Sequence, residues 1–102
     1  MIGNTILNNF HNKAFIIYTN EDWCRFLLKI NPYLYRPFTL DLLDNFSQYS
    51  KPLYLRMYLD PNDNTLQIAG WDLLTNFKRF NDPTKITQVD CIQGFPNWFL
   101  KL

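Results

Sequence analysis

Leu53, Leu55, Met57 and Leu59 alternate with Tyr54, Arg56 and Tyr58, and beyond a polar break Leu66 and Ile68 resume the same alternation. A side-chain period of two belongs to a strand with one buried face. The break, Asp60-Pro61-Asn62-Asp63-Asn64, is made of residues that favour turns, so the segment predicts a hairpin with its loop at 61–64. In that register Leu59 opposes Leu66 and Met57 opposes Ile68 on the inner face. Tyr58 then opposes Gln67, and Tyr54 opposes Trp71, on the outer face. A one-residue slip would turn every apolar side chain outward, which fixes the expected pairing.

The other elements are read around this hairpin. Residues 1–12 carry Ile2, Ile6, Leu7 and Phe10 among asparagines and read as a helical turn or a loop. Residues 14–18 are apolar on both faces, as in a strand inside a sheet. Thr19 can cap a helix over 21–30, with Glu21 and Asp22 in its first turn and Asn31-Pro32 at its end. Trp23, Phe26, Leu27 and Ile30 form its single apolar stripe. A second helix is expected at 39–50 with Leu42, Leu43, Phe46 and Tyr49 inward. A third is expected at 73–80, capped by Asp72, with Leu73, Leu74, Phe77 and Phe80 inward. Residues 85–92 read as a last strand of poor alternation. The tail holds Phe95, Trp98, Phe99, Leu100 and Leu102, too much apolar surface to stay in water, so it is expected to dock.

The fold class is therefore α+β, in the order β-α-α-β-β-α-β over one domain, 1–102. Without the extra helix this is a ferredoxin-like variant, with helices on one face of an antiparallel-rich sheet. The alternative is an irregular α+β fold in which 85–102 is something other than one edge strand. In element order alone, with no shared motif, the first half resembles the opening of barstar-type ribonuclease inhibitors.

Composition narrows the function. Eighteen percent of the residues are aromatic, while the chain has a single histidine and three glycines. Groups that pack and bind are abundant; groups that move protons, ligate metals or cradle phosphates are scarce. Catalytic residues, metal ligands and cofactors are accordingly expected to be absent, and the chain is not expected to be an enzyme. Net charge is +1 with dispersed cations, so the clustered basic footprint of nucleic-acid binders is missing. The only local basic grouping is Lys78-Arg79 with Lys85 nearby, which suits a solvated helix end. Cys24 and Cys91 stand at no metal spacing and are expected to be free buried thiols. The loop aspartates lack the glycine and terminal glutamate of a calcium loop, and turn service accounts for them. No apolar run approaches membrane-spanning length, and 1–5 lack the character of a signal peptide. The expectation is a cytoplasmic protein with no membrane contact.

Tyr54, Arg56, Tyr58 and Trp71 are the leading candidate site. On one open sheet face they would combine aromatic anchors with a cation, the residue types that dominate protein interfaces and that also stack single-stranded bases. The bland alternative is that another segment covers this face as a second core layer. Trp98 and Phe99 form the second candidate. The expected function is a small intracellular protein-binding module that occludes a macromolecular partner, of the immunity protein, inhibitor or phage-encoded modulator type. The alternative is a single-stranded nucleic-acid binder using the same face. Monomer and homodimer are both compatible with these residues.

Overall fold

The structure is a computed structural model that describes residues 6–37 and 52–102. It is an α+β fold built on a four-stranded mixed sheet. The strands are β1 (Lys13–Ile17), β2 (Leu53–Asp60), β3 (Thr65–Leu73) and β4 (Thr87–Asp90), in the spatial order β3-β2-β1-β4. β1 pairs antiparallel with β2 and parallel with β4. Among the described residues, the helices with both ends described are α1 (Asn20–Ile30), α2 (Phe77–Phe80) and α3 (Asn97–Leu100).

The ferredoxin-like expectation is corrected here. A ferredoxin-like split β-α-β arrangement inserts the second hairpin strand between the first two strands, and all neighbours run antiparallel. Here β2 lies directly beside β1 with β3 outside it at the edge, and β4 pairs with β1 in parallel. The expected helix at 39–50 lies outside the described residues, and with it the second helix on which the likeness to barstar-type inhibitors depends.

α1 forms as its residues dictate. Thr19 is extended (φ −130°, ψ 152°) and its hydroxyl accepts from the Asp22 N–H at 3.1 Å, satisfying one of the free donors of the first turn. Trp23, Phe26, Leu27 and Ile30 have no solvent exposure and pack onto Phe15 and Ile17 of β1 and Leu53, Leu55 and Met57 of β2. A short 3-10 helix, Asn31–Tyr33, contains Pro32 and ends the element; Leu34 then bridges in parallel to Leu66.

The hairpin loop is the predicted one. Asp60 Oδ1 accepts from the Asn62 N–H at 2.9 Å, and Asn64 takes the left-handed φ of 55° that asparagine tolerates best after glycine. Leu59↔Leu66, Tyr58↔Gln67 and Met57↔Ile68 pair as expected. Between Arg56 and Met57 the register shifts: Arg56 pairs with Gly70, so Ala69 is an extra residue in β3. Beyond this bulge Trp71 opposes Leu55, not Tyr54, and Tyr54 opposes Asp72. Trp71 and Leu73 therefore join the α1 side of the sheet.

The helices do not share one face. Ala14 and Ile16 of β1, Tyr54 of β2, Phe77 of α2 and Ile86 make a second, smaller core on the side opposite α1. The expected helix at 73–80 is shorter than its pattern, because β3 runs on through Leu73 and Leu74–Asn76 is a 3-10 helix. Asp72 Oδ1 accepts from the Leu73 N–H at 2.7 Å and from Asn76 Nδ2 at 3.3 Å, so it stabilises this exit from the sheet. Phe77 is buried, but Phe80, expected inward, is 59% exposed. The last strand covers only 87–90, an edge strand with mostly exposed side chains.

The tail folds back onto α1. Gly94 (φ 111°) takes a conformation that a side chain would strain, and Phe95-Pro96 leads into α3. Phe99 is buried against Phe10, Phe15, Phe26, Phe95 and Trp98, and Lys29 Nζ donates to the Leu100 carbonyl at 3.1 Å.

Candidate functional site

The outer side of β2 divides into a covered and an open half. Tyr54 is 4% exposed: Phe77 meets its ring edge-on at 5.1 Å, and its hydroxyl oxygen accepts from Asn81 Nδ2 at 3.1 Å. For Tyr54 the bland reading holds, since α2 makes this part of the sheet a second core layer. Two residues further along β2, Arg56 is half-buried and its Nη1 donates to Asn81 Oδ1 at 3.3 Å. Asn81 also donates to the Phe77 carbonyl at 3.1 Å, so one amide ties β2 to the end of α2. Tyr58 is exposed, and its ring lies 4.8 Å from that of His11. His11 Nδ1 accepts from the Leu59 N–H at 3.1 Å, which gives this histidine a structural task.

The four sheet candidates are brought together only in part. Tyr54, Arg56 and Trp71 border one cleft, but Tyr54 is covered by α2, the Trp71 ring packs on the α1 side 5.7 Å from Trp23, and Tyr58 stands on the open half two residues beyond Arg56. Of the two tail candidates, Phe99 is 1% exposed and belongs to the core, while Trp98 is partly buried and packs edge-on against Phe10 at 5.0 Å.

Phe80 joins the site instead. It lies at the end of α2 beside Asn81, with the Arg79 guanidinium 5.4 Å from its ring centre. Between Phe80 and the hairpin is a cleft of about 300 Å³ walled by Tyr54, Arg56, Gly70, Asp72 and Asn81 as well. Gly70 keeps it open, since nothing lies within 4 Å of the position a Cβ would take. A lone glycine in an alternating strand is the one sequence signal that marks both the bulge and this opening.

Among the described residues no group of three or more His, Cys, Asp and Glu side chains is placed to hold a metal ion. Asp82, next to Asn81, is held below the usual carboxylate range by hydrogen bonds from the Thr84 hydroxyl and backbone N–H. Both cysteines are free, and burial pushes the Cys91 thiol up to about 12, leaving it an inert core group. No helix among the described residues is long and apolar enough to cross a membrane. No protein-family model, curated protein or solved structure matches the chain.

Proposed function

We propose that this chain is a small cytoplasmic protein-binding module, without enzymatic activity, that acts by occluding a macromolecular partner, as an immunity protein, an inhibitor or a phage-encoded modulator does. The observation that carries the reading is the open half of the outer sheet face. Exposed Tyr58 stands two residues beyond half-buried Arg56 on β2, and exposed Phe80 walls an open cleft together with Arg56. Aromatic rings and arginine are the residue types that concentrate binding energy at protein interfaces, and a cleft between them admits a side chain from the other surface. Single-stranded nucleic-acid binding has less support on this face. Of the three rings that would stack bases, only Tyr58 is both exposed and on this side.

The test is affinity capture from the cells that express the chain, comparing it with a Tyr58→Ala/Phe80→Ala variant of unchanged melting temperature. Loss of two interface anchors is expected to weaken retention of a specific partner by about 100-fold or more. Equal retention by the folded variant would overturn the assignment of this face.

A further inference from the structure

The cleft beside Phe80 contains a hydrogen-bonding imbalance with a direction. Arg56 commits Nη1 to Asn81, while its buried Nε has no hydrogen-bond partner. Both amide protons of Asn81 are spent, donated to the Tyr54 hydroxyl and the Phe77 carbonyl, while its oxygen accepts from Arg56. Because the Tyr54 oxygen is the acceptor in that bond, its own O–H remains available to donate. The donors the network leaves over are the Nε side of a guanidinium and a phenol proton. Nη1 is already in use, so the remaining edge of the guanidinium is the one that a planar carboxylate engages with two parallel hydrogen bonds.

The surrounding charges agree. Arg56 lines the cleft together with Phe80, and the Arg79 guanidinium lies 5.4 Å from the Phe80 ring centre, against one carboxylate in the wall, Asp72. Asp72 already accepts from the Leu73 N–H and from Asn76 Nδ2, which moderates its repulsion of an incoming anion. A singly charged carboxylate tolerates that neighbour better than a doubly charged phosphate does. The volume, about 300 Å³, suits one side chain with its stem on an aromatic ring.

We infer that this cleft receives a single carboxylate, an Asp or Glu side chain of the partner, hydrogen-bonded by Arg56 and Tyr54 with its methylene stem on Phe80. The inference rests on the protein-binding reading and specifies the group recognised.

The experiment is an NMR titration of the full ¹⁵N-labelled chain, following the Arg56 Nε–H and Phe80 ring resonances. The probes are an acetylated, amidated Gly-Glu-Gly peptide, its Gly-Gln-Gly counterpart and an oligothymidylate, at constant ionic strength. The Glu peptide is expected to shift both resonances saturably. The Gln peptide should bind about tenfold more weakly, because the charge-assisted bonds are lost. Arg56→Gln should abolish the response. Equal response to Glu and Gln, no saturable shift, or a stronger response to oligothymidylate would each overturn the inference. The two peptides on the unaltered chain decide the matter even if Arg56→Gln fails to fold. Failure of the broader reading is distinguishable by capture. A partner lost by Tyr58→Ala/Phe80→Ala but kept by Arg56→Gln removes the carboxylate and leaves the protein-binding face intact. A partner kept by both variants removes the face itself.

Discussion

Phe26 and Phe99 stack with ring planes 3° apart and centroids 5.1 Å apart, joining the middle of α1 to the C-terminal helix α3. Each ring has a second aromatic neighbour in the same core: Phe15 lies 4.8 Å from Phe26, and Phe95 lies 4.6 Å from Phe99. Truncating either ring leaves a cavity that rigid neighbours cannot fill. Phe26→Ala and Phe99→Ala are each expected to cost about 3–5 kcal/mol in urea unfolding. The double variant should show a coupling of about 0.5–1.5 kcal/mol, the usual excess for an aromatic pair. A loss below about 1 kcal/mol for Phe26→Ala would mean that its ring does not lie in the core.

The same contact makes the tail part of this domain's own interior. Removing residues 97–102 takes away Phe99, Trp98 and the Leu100 carbonyl that holds Lys29, and uncovers Phe10 and Phe26. The truncated chain should melt at a lower temperature at every protein concentration. A wild-type melting temperature that rises with concentration would point to a tail docked across a dimer.

The bulge makes a sharper claim about single residues. Ala69 is the unpaired residue of β3, so deleting it leaves Leu66 and Ile68 on one side of the deletion, and Trp71 and Leu73 on the other, all still facing α1. Deleting Gln67 instead moves Ile68 outward and brings Ala69 into its place. The first deletion should keep the Trp71–Trp23 contact, read from indole proton shifts. The second should cost more by about 1 kcal/mol or greater, the scale of lost apolar burial at one core position.

Much of the fold is written in local patterns, and what is not written locally is what the sequence left out of reach. α1 announces itself by cap, dipole and stripe together, all between Thr19 and Ile30. The hairpin is legible as far as Ile68, because its pairs are close in sequence and every one of them obeys alternation. Past that point a single extra residue, Ala69, reverses which face each later side chain takes; alternation cannot reveal this, and Gly70 was the only hint. The third apolar stripe misleads for another reason. Leu73 belongs to a strand end in the main core, Leu74 and Phe77 to the second core, and Phe80 to the surface, although their spacing imitates one helical face. β4 pairs with β1 across 74 positions of chain (Lys13↔Thr87) through four mostly exposed positions, so no hydrophobic period could specify its parallel direction. The candidate site inherits these limits. Arg56 and Tyr58 are legible because β2 carries no extra residue, Trp71 changes face because it follows the bulge in β3, and Phe80 imitates a core position by its spacing.

The last prediction concerns alkaline pH. Cys91 is 2% exposed in the main core, and burial, helped by Asp90 and Asp22, raises its thiol from the ordinary 9.0 to about 12. Tyr18 is shifted the same way, first by desolvation and then by its hydrogen bond to Asp90. For both groups the folded state holds its proton to higher pH than the unfolded chain does. Between the two values the unfolded chain binds fewer protons, so stability falls as pH rises. Their stabilising contribution is complete below about pH 9 and is lost progressively above it. The slope for Cys91 alone can reach at most about 1.4 kcal/mol per pH unit, the effect of one proton. Denaturant midpoints measured between pH 8 and pH 11 should therefore decline, and Cys91→Ala, after its own cost in packing, should decline less steeply. Parallel pH profiles for the two proteins would mean that the Cys91 thiol ionises in the folded chain as readily as in the unfolded one.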